Sequence, residues 1–268
     1  MDIISLQNPR IKHIVKLRED KRQRIKDGLI LVEGCDELNL AFECGLVPRT
    51  LLTAPELASR TLTFPNTETS RFEPVETLTL SRAVFEKISH RENPDGWLGI
   101  FSTPKASLDD LKLSDPPLVL VAESVEKPGN LGAILRTADA AGVDAVLVCD
   151  PRVDLWSPNV IRASRGAVFA VPAVEVESST ALTWLKSRKM RVLAATPSAD
   201  ADYTNVDMTS PIAITVGTED EGLTDFWMQN ADLRVKIPMS GKVNSLNVSV
   251  SVALLIYEAV KQRSRQNK

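Results

Sequence analysis

Three stretches in the second half of the chain combine residue types and spacings that could do chemistry. In Glu126-Lys127-Pro128-Gly129-Asn130-Leu131-Gly132-Ala133-Ile134-Leu135-Arg136, a Pro-Gly turn is followed by an asparagine and, six residues on, an arginine. In Ile214-Thr215-Val216-Gly217-Thr218-Glu219-Asp220-Glu221-Gly222-Leu223, a glycine directly follows an apolar run and leads into three acids. In Ile237-Pro238-Met239-Ser240-Gly241-Lys242-Val243-Asn244-Ser245-Leu246-Asn247-Val248-Ser249, a strand-like end runs through a Pro/Gly loop into Ser-Leu-Asn. A glycine just past a buried strand lets a ligand approach the backbone. A guanidinium can steady negative charge as it develops. Each stretch also has a plain structural reading: Asn130 as a helix cap, Arg136 as an exposed helix arginine, the acids as a surface turn, and Ser245 as the cap of a buried C-terminal helix.

Several familiar chemistries are excluded. The only histidines are His13 and His90, so residues 118–268 hold neither a histidine base nor a Ser-His pair. No two of the 12 glycines are separated by a single residue, which removes the dinucleotide-binding fingerprint. Gly217 to Gly222 has phosphate-loop glycine spacing, but Leu223-Thr224 replaces the required Lys-Ser/Thr and the acids would repel a triphosphate. Cys35, Cys44 and Cys149 are too few and too scattered for a disulfide framework or a metal site. No apolar run reaches membrane-spanning length, and the start, Met1-Asp2-Ile3-Ile4, lacks the pattern of a secretory leader, so a cytoplasmic protein is expected. The net charge is −3, so any nucleic acid must be drawn to a local patch rather than to the whole molecule. Aromatic residues make up only 5%, fewer than a base-stacking single-strand binder would carry.

These stretches need elements to hold them. Apolar strands are predicted at residues 118–121, 145–148, 192–195, 212–216 and 233–237. Helices are predicted at 131–141, 182–188, 225–230 and 247–262. Strand–helix alternation with near-continuous apolar strands implies a mostly parallel sheet covered on both faces, with ligands held beyond the carboxyl ends of strands. The loops after Val121, Val216 and Ile237 are therefore the places for a site. Ahead of this lies a smaller α/β domain, residues 1–105, and a Pro-containing linker, residues 106–117; the second domain is residues 118–268. The first domain opens on a helix from Asn8-Pro9 to just before Gly28, with Ile11, Ile14, Val15 and Ile25 on one face. Arg10, Lys12, Lys16, Arg22 and Arg24 belong to a basic stripe on the other. That stripe suits either solvent or an RNA backbone.

In this order, Asn130-x-Gly132-x-x-x-Arg136, Gly217-x-Glu219-x-x-Gly222-Leu223 and Ile237-Pro238-Met239 followed by Ser245-Leu246-Asn247-Val248-Ser249 resemble the SpoU–TrmH family of RNA ribose 2′-O-methyltransferases. Ala163-Ser164-Arg165-Gly166-Ala167 is similar to a segment the family carries between the first two motifs. Asn8-Pro9-Arg10-Ile11-Lys12 through Val32-Glu33-Gly34 resembles the ribosomal-protein-like RNA-binding domain often fused ahead of the catalytic one. The resemblance implies a SPOUT-type α/β domain with a deep C-terminal trefoil knot, an exception to the rule against threading. It also implies a homodimer, S-adenosylmethionine as cofactor, no metal, and RNA as substrate; ribosomal RNA is favoured, with transfer RNA second. By motif matching, Gly217, Ile237, Met239, Ser245 and Leu246 hold the cofactor. Arg136, Asn130, Glu219, Ser245 and Asn247 serve catalysis. Arg136 is preferred as stabiliser of the developing alkoxide, because free arginine stays protonated; a role as base would require the site to depress its pKa severely. Two competing readings are a knotted methyltransferase acting on a base nitrogen and a non-catalytic RNA-binding or ribosome-assembly protein. The intact Asn130/Arg136 pair and the preserved motifs weigh against them.

Overall fold

The computed structural model describes residues 2–63 and 75–266. The elements run β1 (Asp2–Ile3), α1 (Pro9–Glu19), α2 (Lys21–Asp27), β2 (Leu29–Glu33), α3 (Cys35–Glu43), β3 (Pro48–Thr53), β4 (Glu76–Leu80), α4 (Arg82–Ile88) and β5 (Trp97–Ser102). They continue β6 (Leu118–Glu123), α5 (Pro128–Ala141), β7 (Ala145–Cys149), α6 (Pro158–Ala163), α7 (Ala167–Ala170), β8 (Ala173–Val176), α8 (Ser178–Ser187) and β9 (Arg191–Ala195). The last are β10 (Ala201–Asp202), β11 (Ile212–Val216), α9 (Asp225–Asn230), β12 (Leu233–Lys236) and α10 (Val248–Gln266). Two compact units result. One is Met1–Lys105 together with Trp156–Ala170; the other is Ala106–Leu155 together with Val171–Lys268.

The second unit is a seven-stranded, wholly parallel sheet in the order β10-β12-β9-β11-β6-β7-β8. All six residues of β6 and all five of β7 and β11 are buried. Covered on both faces, such strands lose the two-residue alternation and read as apolar runs. Val119, Val121, Leu147 and Ala213 face a core shared with Leu185 of α8 and Trp227 of α9. Residues of the other parity, such as Leu120 and Ile214, turn to the opposite face, where α5 and α10 pack on each other and on the sheet. Each such fully buried Leu, Ile or Val contributes about 1.5–3 kcal/mol. Residues 106–117, expected as a linker, are packed onto this unit. Leu111 joins the core, and the Asp144 carboxylate accepts from Ser114 N and Leu118 N at 2.8 and 2.6 Å. Arg263 of α10 fastens the same stretch, donating to the Pro116 and Pro117 carbonyls at 2.7 and 2.8 Å and to those of Met208 and Ser210. Beyond the expected strands, β8 and β10 extend the sheet at its two edges; both are short, and little periodicity marks them.

The first unit has a five-stranded mixed sheet, β1-β4-β3-β5-β2, with β5 antiparallel to both β3 and β2. Strand β4 was not expected, although Glu76-Thr77-Leu78-Thr79-Leu80 alternates and buries Leu78 and Leu80. The single helix expected before Gly28 is two helices. Asp20 leaves helical geometry (φ −114°, ψ 112°), and its carboxylate accepts from Arg22 N at 2.8 Å to cap α2. The break rotates α2, so Ile25 is 68% exposed while Arg24 is buried. Helices α6 and α7 belong to this unit although they lie between β7 and β8 in sequence. Helix α6 packs on β2 and α7 on α3. Between them Gly166 sits at φ +85°, and a Cβ there would come within 3.2–3.3 Å of Leu40 and Glu37, so the close approach needs glycine.

Candidate active site

The carboxyl ends of β9, β11 and β12 open into one cleft of about 540 Å³, within the usual size for a small-molecule site. Gly217 and Glu219 reach it from the loop after β11, and Ile237, Met239, Ser245 and Leu246 from the stretch after β12. All five residues expected to hold a cofactor thus line a single cleft. Thr196, Pro197 and Ser198, after β9, form a further wall that the sequence reading missed. Nothing local marks that loop; it enters because β9 pairs with both β11 and β12, a non-local fact.

Gly217 has a role different from the one its position suggests. A Cβ at 217 would lie 1.9 Å from the Gly222 carbonyl oxygen and 2.4 Å from Leu223 N. The loop folds back on itself there, with Thr218 N donating to Gly222 O at 3.0 Å and Gly222 N to Thr218 O at 3.1 Å. Glycine is needed first for the loop to close. The far end of the loop is held by Glu123, a buried carboxylate at the end of β6 that accepts from Thr224 N and Thr224 Oγ1 at 2.9 and 2.7 Å. Glu123 was missed because it reads as the polar end of an apolar strand.

Side-chain hydrogen bonds join the three motifs. The Asn130 amide donates to the Glu219 carboxylate, and Asn247 Nδ2 donates to Asn130 Oδ1 at 3.1 Å. Two capping expectations are corrected here. Pro128 occupies the first turn of α5 with Lys127 as its cap, so Asn130 lies inside the helix and its side chain is spent on the bridge. The cap of α10 is Asn247 rather than Ser245: Asn247 Oδ1 accepts from Ser249 N at 2.9 Å and Ser249 Oγ at 2.6 Å, and the helix begins one residue later than expected. Ser245 is left exposed on the cleft wall. Arg136 stands apart from the bridge. It is exposed on α5, six positions beyond Asn130 and so about 9 Å farther along the axis. Among the described residues it has no hydrogen-bond or ion-pair partner.

Glu219, Asp220 and Glu221 all line the cleft, and among the described residues no lysine, arginine or histidine does. This wall favours a cationic ligand and disfavours a phosphate. S-adenosylmethionine fits such a donor set: apolar Ile237, Met239 and Leu246 suit adenosine, and the acids suit a sulfonium and an ammonium.

Residues 117–257 match the SpoU rRNA Methylase family, and residues 8–99 match the MRM3-like substrate binding domain. The chain belongs to the SpoU rRNA methylase family. A Streptomyces viridochromogenes relative, 23S rRNA (uridine(2479)-2′-O)-methyltransferase, is 30% identical over 267 residues, covering 97% of this chain and 92% of the relative. A solved RNA 2′-O ribose methyltransferase is similar over 98% of this chain and 100% of its own, with 41% identity and a TM-score of 0.84. The SpoU methyltransferase AviRb from Streptomyces viridochromogenes, in complex with AdoMet, has a TM-score of 0.84 at 28% identity, covering 96% of this chain and 100% of that one.

The SpoU-family match includes residues 156–170, which fold with the first unit. In that unit the basic stripe is thinner than its sequence suggests. Lys12, Lys16 and Arg22 are exposed on α1 and α2. Arg10 is exposed but paired with Glu76 at 2.7 Å. Arg24 is not on the stripe: it is buried and donates to the Leu17 and Arg18 carbonyls at 2.6 and 3.2 Å, closing the end of α1. His13 Nε2 lies 2.6 Å from the Asp27 carboxylate, and this contact, with Gln23, holds Asp27 below the usual carboxylate range.

Proposed function

We propose that this SpoU-family enzyme transfers a methyl group from S-adenosylmethionine to a ribose 2′-hydroxyl of structured ribosomal RNA. The observation that carries the reading is the bridge Asn247–Asn130–Glu219, which ties three separate motifs together at an acidic, partly apolar cleft that Glu219 lines. Bound S-adenosylmethionine supplies an electrophilic methyl on a sulfonium. Gly217, Ile237, Met239 and Leu246 form its slot, with Ser245 at the mouth. Most of the acceleration comes from orientation and from charge stabilisation. Asn130 and Asn247 fix the relation of α5 to the α10 start, and Glu219 anchors both. The role of meeting the developing alkoxide and a neighbouring phosphate is assigned to Arg136, which is unpaired among the described residues.

Several finer assignments accompany this reading. Residues 1–105 select RNA, with Lys12, Lys16 and Arg22 contacting phosphates. The chain acts as a homodimer. Val250, Leu254 and Tyr257, four and three residues apart on α10, are 46%, 37% and 49% exposed, an apolar stripe suited to a second copy. The strand order is consistent with the family's trefoil knot. An RNA-modifying role suits the cytoplasm; among the described residues no helix is long and apolar enough to cross a membrane.

The deciding experiment incubates the protein with isotopically labelled S-adenosylmethionine and an unmodified 23S rRNA transcript. Nuclease digestion and mass analysis then locate the label. A methyl on a ribose O2′ supports the reading; a methyl on a base nitrogen, or no transfer, overturns it.

A further inference from the structure

A second cavity, an open groove of about 710 Å³, lies wholly within the first unit and is unrelated to the cofactor cleft. One wall is the corner His90-Arg91-Glu92-Asn93, just after α4. The other is α6, through Asn159 and Arg162. The corner is held rigidly. The buried Glu33 carboxylate accepts from His90 N at 2.7 Å and from Ser89 Oγ, and Ser89 Oγ in turn accepts from Arg91 N at 2.9 Å. His90 Nε2 lies 2.5 Å from Asn159 Oδ1, so the imidazole is fixed against α6. Rigid support of this kind is what a recognition site needs and a solvated loop does not.

The chemistry of the wall restricts the occupant. Among the described residues no aliphatic side chain lines the groove, so they offer no apolar anchor pocket of the kind a protein partner requires. Its charges balance. Arg91 is committed to Glu37 at 2.7 Å, and Glu92 offsets Arg162. A balanced wall is a poor trap for a run of phosphates, unlike the stripe on α1 and α2. What remains are the exposed Asn93 carboxamide with donor and acceptor, the exposed Asn159 amide N–H beside an Oδ1 already engaged by His90, a half-buried imidazole whose ring face is left over, and one exposed guanidinium. That set matches an unstacked nucleotide: amides for base edges, imidazole for a base face, arginine for the flanking phosphate.

We propose that this groove reads an unpaired nucleotide of the RNA substrate, so that α6, which lies within the span matching the methyltransferase family, is part of the specificity element. The inference rests on the RNA-methyltransferase reading above. It also separates two functions within one unit: the stripe supplies salt-sensitive affinity, and the groove supplies sequence preference.

The test uses the full-length protein and a pool of RNA stem-loops with a randomised loop of about eight nucleotides, sequenced before and after capture on the protein. The wild type is expected to enrich one or two loop positions by about tenfold, and Asn93→Ala or Asn159→Ala to reduce this to under about twofold. Affinity of either variant for a fixed, fully paired RNA duplex should stay within about twofold of wild type, because phosphate contacts are untouched. Lys12→Glu with Lys16→Glu should do the reverse. The thermal melting profile of each variant serves as the check on folding, and Asn159→Gln should regain part of the preference if Asn159→Ala proves misfolded. Retained enrichment in folded Asn93→Ala and Asn159→Ala overturns the proposal. So does a wild type without any loop preference, which would leave the groove to a protein partner. Methyl transfer by the wild type to rRNA is measured separately, so loss of the groove proposal and loss of the enzymatic reading remain distinguishable.

Discussion

The cleft at the strand ends and the first unit's basic helical surface are built in opposite ways. The cleft is a product of topology: three neighbouring parallel strands end together, and the loops leaving them have nowhere else to go. One of its polar residues, Glu219, is tied through the Asn247–Asn130–Glu219 bridge to α5 and to the start of α10. The first unit's surface is a product of side chains on helices and corners. There, charges that look available in sequence have been spent, Arg24 on backbone carbonyls and Arg10 on Glu76. A site made by strand ends tolerates few changes in loop backbone. A site made by exposed side chains is altered one residue at a time.

The largest effect tests whether chemistry resides with Arg136, off the bridge. Arg136→Ala is expected to lower single-turnover methyl transfer by about a hundredfold to a thousandfold, the scale for losing one charge-stabilising group. Cofactor affinity by calorimetry should stay within about twofold. Near-normal transfer would move the charge-stabilising role elsewhere. Next in size, Gly217→Ala should reduce S-adenosylmethionine affinity by more than about tenfold. Even one methyl collides with the Gly222 carbonyl, so alanine should be nearly as harmful as valine. If alanine is tolerated and only valine fails, the cleft excludes bulk and the loop closure is not what matters. Leu246→Arg, which leaves the loop intact, should lose binding without loss of thermal stability.

A third test concerns separability. A fragment starting at Asp115 would strip α6 and α7 of their partner, exposing Val160, Ile161, Ala167 and Val168, all buried at present. Such a fragment is expected to melt lower and bind a hydrophobic dye, with cofactor affinity reduced. Equal melting points for fragment and full chain would show that 156–170 refolds onto the second unit. Smaller again, charge reversal at Lys12, Lys16 and Arg22 should weaken RNA binding broadly and lower the slope of log affinity against log salt by roughly two to three. The contrasting Arg24→Ala should act on stability instead, by about 1–3 kcal/mol, because two carbonyls lose a buried donor. The smallest effect is chemical. Burial, with Asp150 and Glu123 nearby, pushes the Cys149 thiol well above its ordinary range. Alkylation of the native protein at pH 8–9 should therefore label exposed Cys44 and spare Cys149, as peptide mass mapping would show. Labelling of both at similar rates would show that β7 opens readily.

Much of the second unit was legible in its sequence because buried parallel strands leave an unmistakable apolar run. β6, β7, β9, β11 and β12 all carried that signal. The motif residues of the cleft were legible for the same reason: each follows such a run. What escaped was non-local. The Thr196-Pro197-Ser198 wall depends on strand order, and the Glu123–Thr224 link spans 101 residues. The two helix caps went astray by three and two residues, because at α5 Pro128 starts the helix ahead of Asn130 and at α10 Asn247 rather than Ser245 takes the capping bonds. In the first unit a basic residue at the right spacing concealed a break at Asp20, which turned Arg24 inward and Ile25 out. Periodicity assumes an uninterrupted helix, and nothing in Asp20-Lys21 announces that it ends.

The chain passes between its two units three times, at Lys105/Ala106, Leu155/Trp156 and Ala170/Val171. The consequence is one of timing. When synthesis has reached residue 105 the first unit still lacks α6 and α7, which cover part of β2 and α3. The missing 65 residues take about 3–13 s to make at ordinary elongation rates. During that interval β6 and β7, both destined for full burial, emerge without β9 or β11 beside them. The nascent chain therefore carries two incomplete cores at once, and neither closes until the other's elements have been made.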